Sequence, residues 1–572
     1  MTTNDGLLIK PEPRKSRVSL LVALVVVALP VAGYFGYAKF AASGSRQLQS
    51  PLTPPAATAN ANATASTTAG QMPTTIIAVL PLAPGKLPEA NQDDVAKSSD
   101  ENASDRLVKA LTAKSDSADY FTDGLSTQLI ETLQQFSGVA VTSPESSFQF
   151  RDSKALGRTI GKALGATHVV QGNARRNGDD VLVDASLVRV ADGRTLWFEH
   201  YQRPRKDLFT LQDEIAMAVA ATLKAKRLPA PQGSQDERPH SGNLDAYDAL
   251  LQGNEAYRRH DGDGSRQAVA AYERAVARDP DYGHAYARLA LARIQLATRF
   301  PSEAGDVHEQ GEMARRAAAT ALRMAPDSAD AHAANAAWMA SIALDQAGAM
   351  HETMHALLLS PRAPDLLQSL AIQQTAFGQL EEAAGNLRRV LALNPLSSSV
   401  LYNLGGVYLG KNDFSEAEYT LGQALALRPD SAGVRAFQAI AVFQQNRADE
   451  AIKLAQSEPD ALWRSYALAM AYWAKGDRAR SDVELQSLIR DKANSAATQI
   501  AGIYAQRDDE VSMFHWLDVA RTGGDPGIVE IRYMPFVSRY SSDPRFIALA
   551  RELDLMPGEE PRPARTPAAR TP

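Results

Sequence analysis

The stretch SSVLYNLGGVYLGKNDFSEAEYTLGQALALRPD, residues 398–430, decides the fold of the longer part of this chain. Each half contains a small residue, Gly405 or Ala417, beside larger apolar residues such as Leu404, Tyr408 and Leu421. Small residues let two helices approach closely, and the larger ones then fill the groove between them. The stretch therefore predicts two packed helices joined by a short turn.

The unit repeats at a fixed interval. Pro361, Pro395 and Pro429 stand 34 residues apart, and this is the period of the tetratricopeptide repeat (TPR), a helix–turn–helix unit. The stretch is similar to the TPR pattern at Leu404, Gly405, Tyr408, Ala417, Leu421, Ala424 and Pro429. Looser copies end at Pro280 and Pro326, so we expect about eight repeats in all.

The repeats are expected to form an all-α TPR superhelix over residues 244–557. Their ending, MPFVSRYSSDPRFIALARELDL (residues 534–555), resembles the helical cap that closes such arrays. Residues 558–572 are rich in Pro, Arg and Ala, and we expect them to be disordered.

TPR arrays bind partners on a concave face that the first helix of each repeat lines. The register of the resemblance places these residues near that face: Tyr402, Leu409, Ile440, Phe443, Trp463, Tyr466, Met470 and Trp473. Such an apolar, aromatic groove suits an extended or helical peptide. The residues that clamp a peptide carboxylate in TPR proteins are missing, because the matching positions include Gln368, Ile372, Tyr402 and Gly406. Packing between repeats is the alternative role for each aromatic residue.

His351-Glu352-Thr353-Met354-His355 matches the HExxH motif of zinc metalloproteases. On a helix His351 and His355 share a face, and Glu352 would act as general base. A third ligand is needed, for which Glu381 or Glu382 is the candidate. The register opposes catalysis, since the pair falls on a helix face that the TPR pattern leaves exposed. We therefore expect no catalytic residue, no cofactor and no metal, with incidental metal binding by the histidine pair as the weak alternative.

An α/β module is predicted ahead of the repeats. Ile76–Leu80 has the apolar character of a buried strand, and a long polar insertion at 83–118 is expected to be mobile. The segment YFTDGLSTQLIETLQQF has a helical apolar stripe, residues 139–143 form a second strand, and residues 154–164 form a second helix.

Three further strands follow, at residues 168–173, 181–187 and 195–201, with turns at Asn177-Gly178 and Asp192-Gly193. A helix at 208–226 ends the module, so the predicted order is β-α-β-α-β-β-β-α. Arg175 and Arg176 flank a turn and are expected to be solvated, while Trp197 is expected to pack in the core or at an edge.

The segments IIAVLPL, YFTDGLSTQLIETL, VTSPESSF and IGKALGATHVVQGNARRNGDDVLVDASLVRVADGRTLWFEHY resemble the TolB-amino-terminal-like (FlgO-related) domain. The resemblance covers residues 73–228. It implies the extracytoplasmic half of a bacterial membrane regulator of the adenylate-cyclase-like, kinase-like or CadC-like kind, in which TPR repeats follow. The sequence departs from the family pattern in two ways. The insertion at 83–118 is longer than expected, and residues 1–17 are too few to hold an effector domain. DNA binding and cyclase activity are therefore not implied.

Residues 18–38, VSLLVALVVVALPVAGYFGYA, carry no charge. At 1.5 Å per residue they extend roughly 31 Å, about the thickness of a bilayer core. Basic residues are concentrated in the tail, residues 1–17, which favours a cytoplasmic N-terminus. We expect a single transmembrane helix rather than a cleaved signal peptide, whose apolar region is shorter. Residues 39–72 and 229–243 have the composition of flexible linkers.

Composition excludes several classes of protein. The chain has 572 residues, a net charge of −6 and no cysteine, which gives no reason to expect nucleic acid and rules out disulfides and cysteine-bound metals. The prediction is a non-catalytic, single-pass protein of the bacterial inner membrane whose periplasmic part binds a protein or peptide. The alternatives are the sensory half of a split signalling system, with its effector on another chain, and the zinc protease.

Overall fold

The computed structural model describes residues 75–84, 120–227 and 238–556, apart from positions 152, 154, 301–305 and 494. The predicted tail 1–17, membrane span 18–38 and linker 39–72, nearly all of the insertion 83–118, and the tail 558–572 lie outside the described residues. Within the described ranges, no helix has both the length and the apolar character needed to cross a membrane.

The α/β module contains the predicted elements and several short additional ones. They are β1 (Thr75–Val79), β2 (Ala83–Pro84), α1 (Tyr120–Gln134), β3 (Phe136–Ser137), β4 (Val139–Val141), α2 (Pro144–Ser147), α3 (Gly157–Ala163), β5 (His168–Asn177), β6 (Asp180–Arg189), β7 (Thr195–Pro204), α4 (Leu208–Thr222) and β8 (Lys226–Arg227). The long elements follow the order β-α-β-α-β-β-β-α, as the sequence predicts.

The sheet has the strand order β4-β1-β5-β6-β7, with β2 also paired to β5. Strand β1 runs parallel to β4 and β5, whereas β5, β6 and β7 form an antiparallel meander. Helices α1 and α4 bury Leu125, Leu129 and Ile215 against one face. Helix α3 buries Ile160 against the other face.

The β5–β6 turn differs by one residue from the prediction. Asn177 pairs with Asp180, so the two-residue loop is Gly178–Asp179 and not Asn177–Gly178. Of the predicted pair only Gly178 has a positive φ, at 63°. A turn with glycine at its first position needs a positive φ there alone, so Asn177 stays in the strand.

The repeats are helical hairpins stacked in sequence. Between residues 244 and 523 the described part of the chain has sixteen α-helices in eight pairs, in agreement with the predicted count. They are α5 (Leu244–Tyr257), α6 (Gly262–Arg278), α7 (Gly283–Arg299), α8 (Asp306–Met324), α9 (Ala329–Trp338), α10 (Gln346–Leu359), α11 (Pro364–Ala376), α12 (Leu380–Leu393), α13 (Ser398–Gly410), α14 (Phe414–Leu427), α15 (Val434–Gln444), α16 (Ala448–Gln456), α17 (Ala461–Lys475), α18 (Arg478–Lys492), α19 (Ala497–Gln506) and α20 (Glu510–Gly523).

The turn inside each hairpin is the most regular feature of the array. A residue with positive φ lies two positions before the second helix at Leu344, Gly378, Asn412 and Asn446, a spacing of 34 residues. A left-handed residue at this point ends one helix and lets the chain reverse. The backbone therefore has the period that the prolines indicate. After α20, short 3-10 turns lead to α21 (Pro544–Glu552).

Gly405 allows α13 and α14 to pack closely. A β-carbon added at Gly405 would lie 2.6 Å from Leu421 Cγ, whereas one added at the neighbouring Gly406 would meet nothing within 4 Å. The two glycines share one helix, so their comparison separates helix propensity from packing.

We expect Gly405→Ala to lower the free energy of unfolding by about 1–3 kcal/mol, the usual cost of overpacking. Gly406→Ala should leave it unchanged or raise it by up to about 1 kcal/mol, because alanine favours the helix. Urea unfolding followed by circular dichroism measures both variants. Equal effects of the two substitutions would contradict the packing role of Gly405.

Candidate functional site between the module and the repeats

The α/β module is docked against the first repeat. Arg176 Nη1 donates to Asp248 Oδ2 at 3.2 Å, and the same guanidinium lies 4.4 Å from the centre of the Phe121 ring. Arg205 Nη2 lies 2.9 Å from Asp245 Oδ1. Arg176 is exposed, as the sequence predicts, but its side chain also contacts α5. The residue lies near the end of β5, and the position of this end beside α5 is not shown by the sequence alone.

Asp123 is the most buried charge of this contact. Its side chain is 2% exposed and forms ion pairs with Arg151 of the module and with Arg258 of α5, the latter at 2.7 Å. Both guanidiniums also lie over the ring of Phe148, at 5.6 and 5.3 Å from its centre. A buried carboxylate is stable only when its charge is compensated, so this cluster fixes α1 against the first repeat.

The same module also reaches the loop between α12 and α13. Ser143 N donates to the carbonyl of Leu393 at 2.8 Å, and Gln149 Nε2 donates to that of Leu396 at 2.9 Å. Glu145 accepts hydrogen bonds from Asn394 Nδ2 at 2.5 Å and from Ser397 Oγ at 3.0 Å. Burial raises the pKa of Glu145, and these two hydrogen bonds oppose the rise.

A cavity of about 1020 Å³ lies between these two attachment points. The module contributes α1 and residues 143–151, and the repeats contribute their inner helices from α5 to α17. The position of Asp365 shows that the cavity is enclosed. Its side chain is accessible to water inside the cavity, but the surrounding protein still raises its pKa. Charged lining residues of both signs are Asp123, Glu131, Glu145, Arg151, Glu255, Arg258, Arg259, Arg288, Arg299, Asp330, Asp365, Arg428, Asp460 and Lys492.

Two of the eight predicted groove residues line this cavity. Tyr402 and Trp463 lie on its wall, on either side of Phe437, whose ring centre is 5.6 Å from Tyr402 and 5.4 Å from Trp463. Burial raises the pKa of the Tyr402 hydroxyl. Tyr402 is half-buried and Trp463 is 7% exposed, so both border the cavity with only part of their surface.

The other predicted groove residues are placed differently. Five are buried in the repeat core: Leu409, Ile440, Phe443, Tyr466 and Met470. Trp473 is half-buried beneath two guanidiniums, with Arg478 Cζ 3.2 Å and Arg507 Cζ 4.6 Å from its ring centre. A bound peptide does not reach the five buried side chains unless the packed helices separate.

The physical reason is that the chain covers its own concave face at this end. Phe536 stacks on Phe443, with ring centres 6.3 Å apart. A β-carbon added at Gly410 would lie 3.0 Å from Tyr533 Cβ, and one added at Gly502 would lie 2.7 Å from Met534 Cε. Residues 526–540 therefore fill the groove of the last repeats. The sequence predicts a cap over residues 534–555, which overlaps this segment, but gives no sign that the segment folds inward.

The HExxH residues lie on α10, and the two histidines are exposed. Glu352 Oε2 is engaged by His332 Nδ1 at 2.6 Å, and this contact raises the pKa of His332 and lowers that of Glu352. Of the two candidate third ligands, Glu381 pairs with Lys411 at 2.8 Å and Glu382 is exposed. Among the described residues, no group of three or more His, Asp or Glu side chains is placed to hold a metal.

Comparison with known proteins agrees with this architecture. Two family models described as tetratricopeptide repeat match the chain, over residues 250–307 and 374–441. The chain therefore contains TPR repeats, a fold that generally acts as a non-catalytic scaffold for protein binding.

One relative by sequence is the putative adenylate cyclase 3 of Rhizobium meliloti (strain 1021), 29% identical over 177 residues. The aligned part is 31% of this chain and 30% of that protein, so the chain spans less than a third of this relative. Among solved structures, Pseudomonas aeruginosa PilF is 23% identical and covers 39% of this chain and 99% of its own, with a TM-score of 0.30. Yeast Tom70 is 14% identical and covers 57% of this chain and 70% of its own, with a TM-score of 0.32.

Removing the charge of Asp123 should loosen the docked module. We expect Asp123→Asn to lower the free energy of unfolding by about 2–4 kcal/mol, because Arg151 and Arg258 lose their common partner in a buried site. The matched control is Asp192→Asn, whose ion pair with Arg189 is exposed and is worth about 0–1 kcal/mol. Limited proteolysis should cut Asp123→Asn first between the module and the repeats. Equal stability of the two variants would contradict this role of Asp123.

Glu530 gives the cap a pH dependence. Burial and the nearby Asp525 raise its pKa from 4.5 to about 7, and a hydrogen bond with Tyr533 opposes the rise. A raised pKa means that the folded state favours the protonated carboxyl, so stability is fully present below about pH 4.5 and is lost as the pH rises through about 7.

Glu530→Gln imitates the protonated form. We expect wild-type protein to lose about 2–3 kcal/mol relative to this variant between pH 5 and pH 8. Urea unfolding at intervals of half a pH unit measures the difference, with exposed Glu382→Gln as control. Parallel pH profiles for wild type and Glu530→Gln would show that Glu530 does not control the stability of the cap.

Proposed function

We propose that this chain is a membrane-anchored, periplasmic TPR scaffold or sensor that binds a protein or peptide of the bacterial cell envelope. The observation that carries the proposal is the cavity of about 1020 Å³ on the concave face, with Tyr402 and Trp463 on its wall. Aromatic side chains beside an enclosed space are the usual anchors of a recognition site. Anchoring rests on residues 18–38, and the inner-membrane, N-terminus-in orientation rests on the basic residues before them.

The module is part of the proposed function. We regard it as a TolB-amino-terminal-like domain because of its sequence motifs and its order of strands and helices. A module that forms one wall of the site can respond to what the site holds, since a ligand there contacts both the module and the repeats. Sensing would thus be a change in how firmly the module is docked.

A second candidate function is the sensory half of a split signalling system whose cytoplasmic effector is another chain. The specific observation in its favour is the relative that is named as an adenylate cyclase, 29% identical over 177 residues. A neighbouring gene for a cyclase, kinase or winged-helix protein without a periplasmic domain of its own would support this candidate.

Photo-crosslinking in intact cells tests the proposal. A benzophenone amino acid replaces Tyr402 or Trp463, and the control replaces Tyr419 of α14, which is 59% exposed. We expect both cavity positions to capture the same envelope protein or peptide, identified by mass spectrometry, and Tyr419 to capture none of it. Crosslinks from the cavity positions to this chain's own module alone, or equal capture at Tyr419, would overturn the proposal.

A further inference from the structure

Four basic side chains converge on one part of the cavity wall. Arg288 and Arg299 come from α7, His260 follows α5 and Arg428 follows α14, and all four line the cavity. Burial, together with the charges of Arg299 and Arg428, lowers the pKa of His260 to about 4. These groups belong to the first, second and fifth repeats, so only the curvature of the array brings them together.

Most of the carboxylates that line the cavity are engaged in bonds within the protein. Asp123 is bound by two arginines, and Glu145 by Asn394 and Ser397. Asp330 lies 2.9 Å from His284 Nδ1, and Asp460 caps α17 by accepting from Leu462 N at 2.9 Å. Burial raises the pKa of Asp365, and the positive charge of Arg288 opposes the rise. Arg288 donates to His284 Nε2 at 3.2 Å, and Arg299 also has a partner within the protein, so the hydrogen-bonding groups of this cluster that remain available belong to Arg428 and His260.

Arg428 is the clearest case. Its guanidinium has no hydrogen bond or ion pair with any residue that the structure describes, and burial lowers its pKa. His260 Nδ1 is also buried without a hydrogen-bond partner within the described ranges. A half-buried guanidinium offers five donors in a planar fork that matches carboxylate and phosphate groups. Glu145 attracts Arg428 electrostatically without a hydrogen bond to it, and an anion in the cavity would supply the hydrogen-bond partner that the guanidinium lacks.

We infer that this cavity binds a small anionic molecule bearing carboxylate or phosphate groups, held by Arg428 with Arg299 and Arg288. The volume of about 1020 Å³ lies at the upper end of the range of small-molecule sites, which often form between domains. The inference rests on the sensor form of the proposed function and adds the chemical class of the sensed ligand. A bound anion would link the repeats to the module that forms the opposite wall.

Isothermal titration calorimetry on the full chain in mild detergent tests the inference, with citrate and inorganic pyrophosphate as separate probes. Sodium chloride at matched ionic strength corrects for general screening. We expect saturable binding of at least one probe, and its identity distinguishes a carboxylate from a phosphate ligand. Arg428→Gln should weaken that binding at least about tenfold, the usual effect of losing a charged hydrogen bond, and Arg428→Lys should weaken it less.

Arg389→Gln is the matched control, because Arg389 is exposed on α12 away from the cavity. Arg299→Gln is the second variant, and the thermal midpoint of each unliganded variant checks that it folds. No saturable binding of either probe, or equal binding by wild type and folded Arg428→Gln, would overturn the inference. Crosslinking at Tyr402 does not depend on either probe, so the protein-binding proposal stands or fails separately.

Discussion

The arrangement of the whole molecule depends on the ion pairs of Asp123. This carboxylate is almost inaccessible to water and contacts one arginine of the module and one of the first repeat. Two guanidiniums compensate its burial, and both lie over the Phe148 ring. The segment that carries Phe148 continues to the loop between α12 and α13, where Glu145 and Gln149 are bound. The module thus bridges repeats that are far apart in sequence, and the cavity exists because it is held at both ends.

The concave face of the array is largely covered by the chain itself. The module lies over the inner helices of the earlier repeats, and residues 526–540 fill the groove of the last ones. This arrangement differs from an open groove along which a long peptide lies. The accessible part of this face is the cavity, and its volume and charged lining restrict the ligands that it can bind.

The walls of that space combine two kinds of chemistry. Tyr402 and Trp463 offer apolar area at one side, and the arginines of α7 and the end of α14 offer positive charge at another. Charges enclosed by protein interact more strongly than charges at a surface, because water screens them less. The anionic ligand that we infer would therefore interact strongly with these arginines. The HExxH residues take no part, since Glu352 stabilises its own repeat through His332.

The sequence by itself determined the local units of this protein. The 34-residue period predicted the helical hairpins, Gly405 and Leu421 predicted their close packing, and the alternation of apolar residues predicted the order of strands and helices in the module. These features depend on neighbours in the chain, so a pattern in one stretch is enough to indicate them.

Only the tertiary structure decided the site. Tyr402 and Trp463 were predicted from the repeat register. Asp123 and Glu145 come from one segment, and Arg299 and Arg428 come from two others, each more than a hundred residues further along the chain; the three segments have no common motif. Their approach depends on the summed curvature of the repeats and on where the module docks. The same cause covered Phe443 with Phe536, since the inward fold of the cap is a property of the assembled array and not of the stretch that forms it.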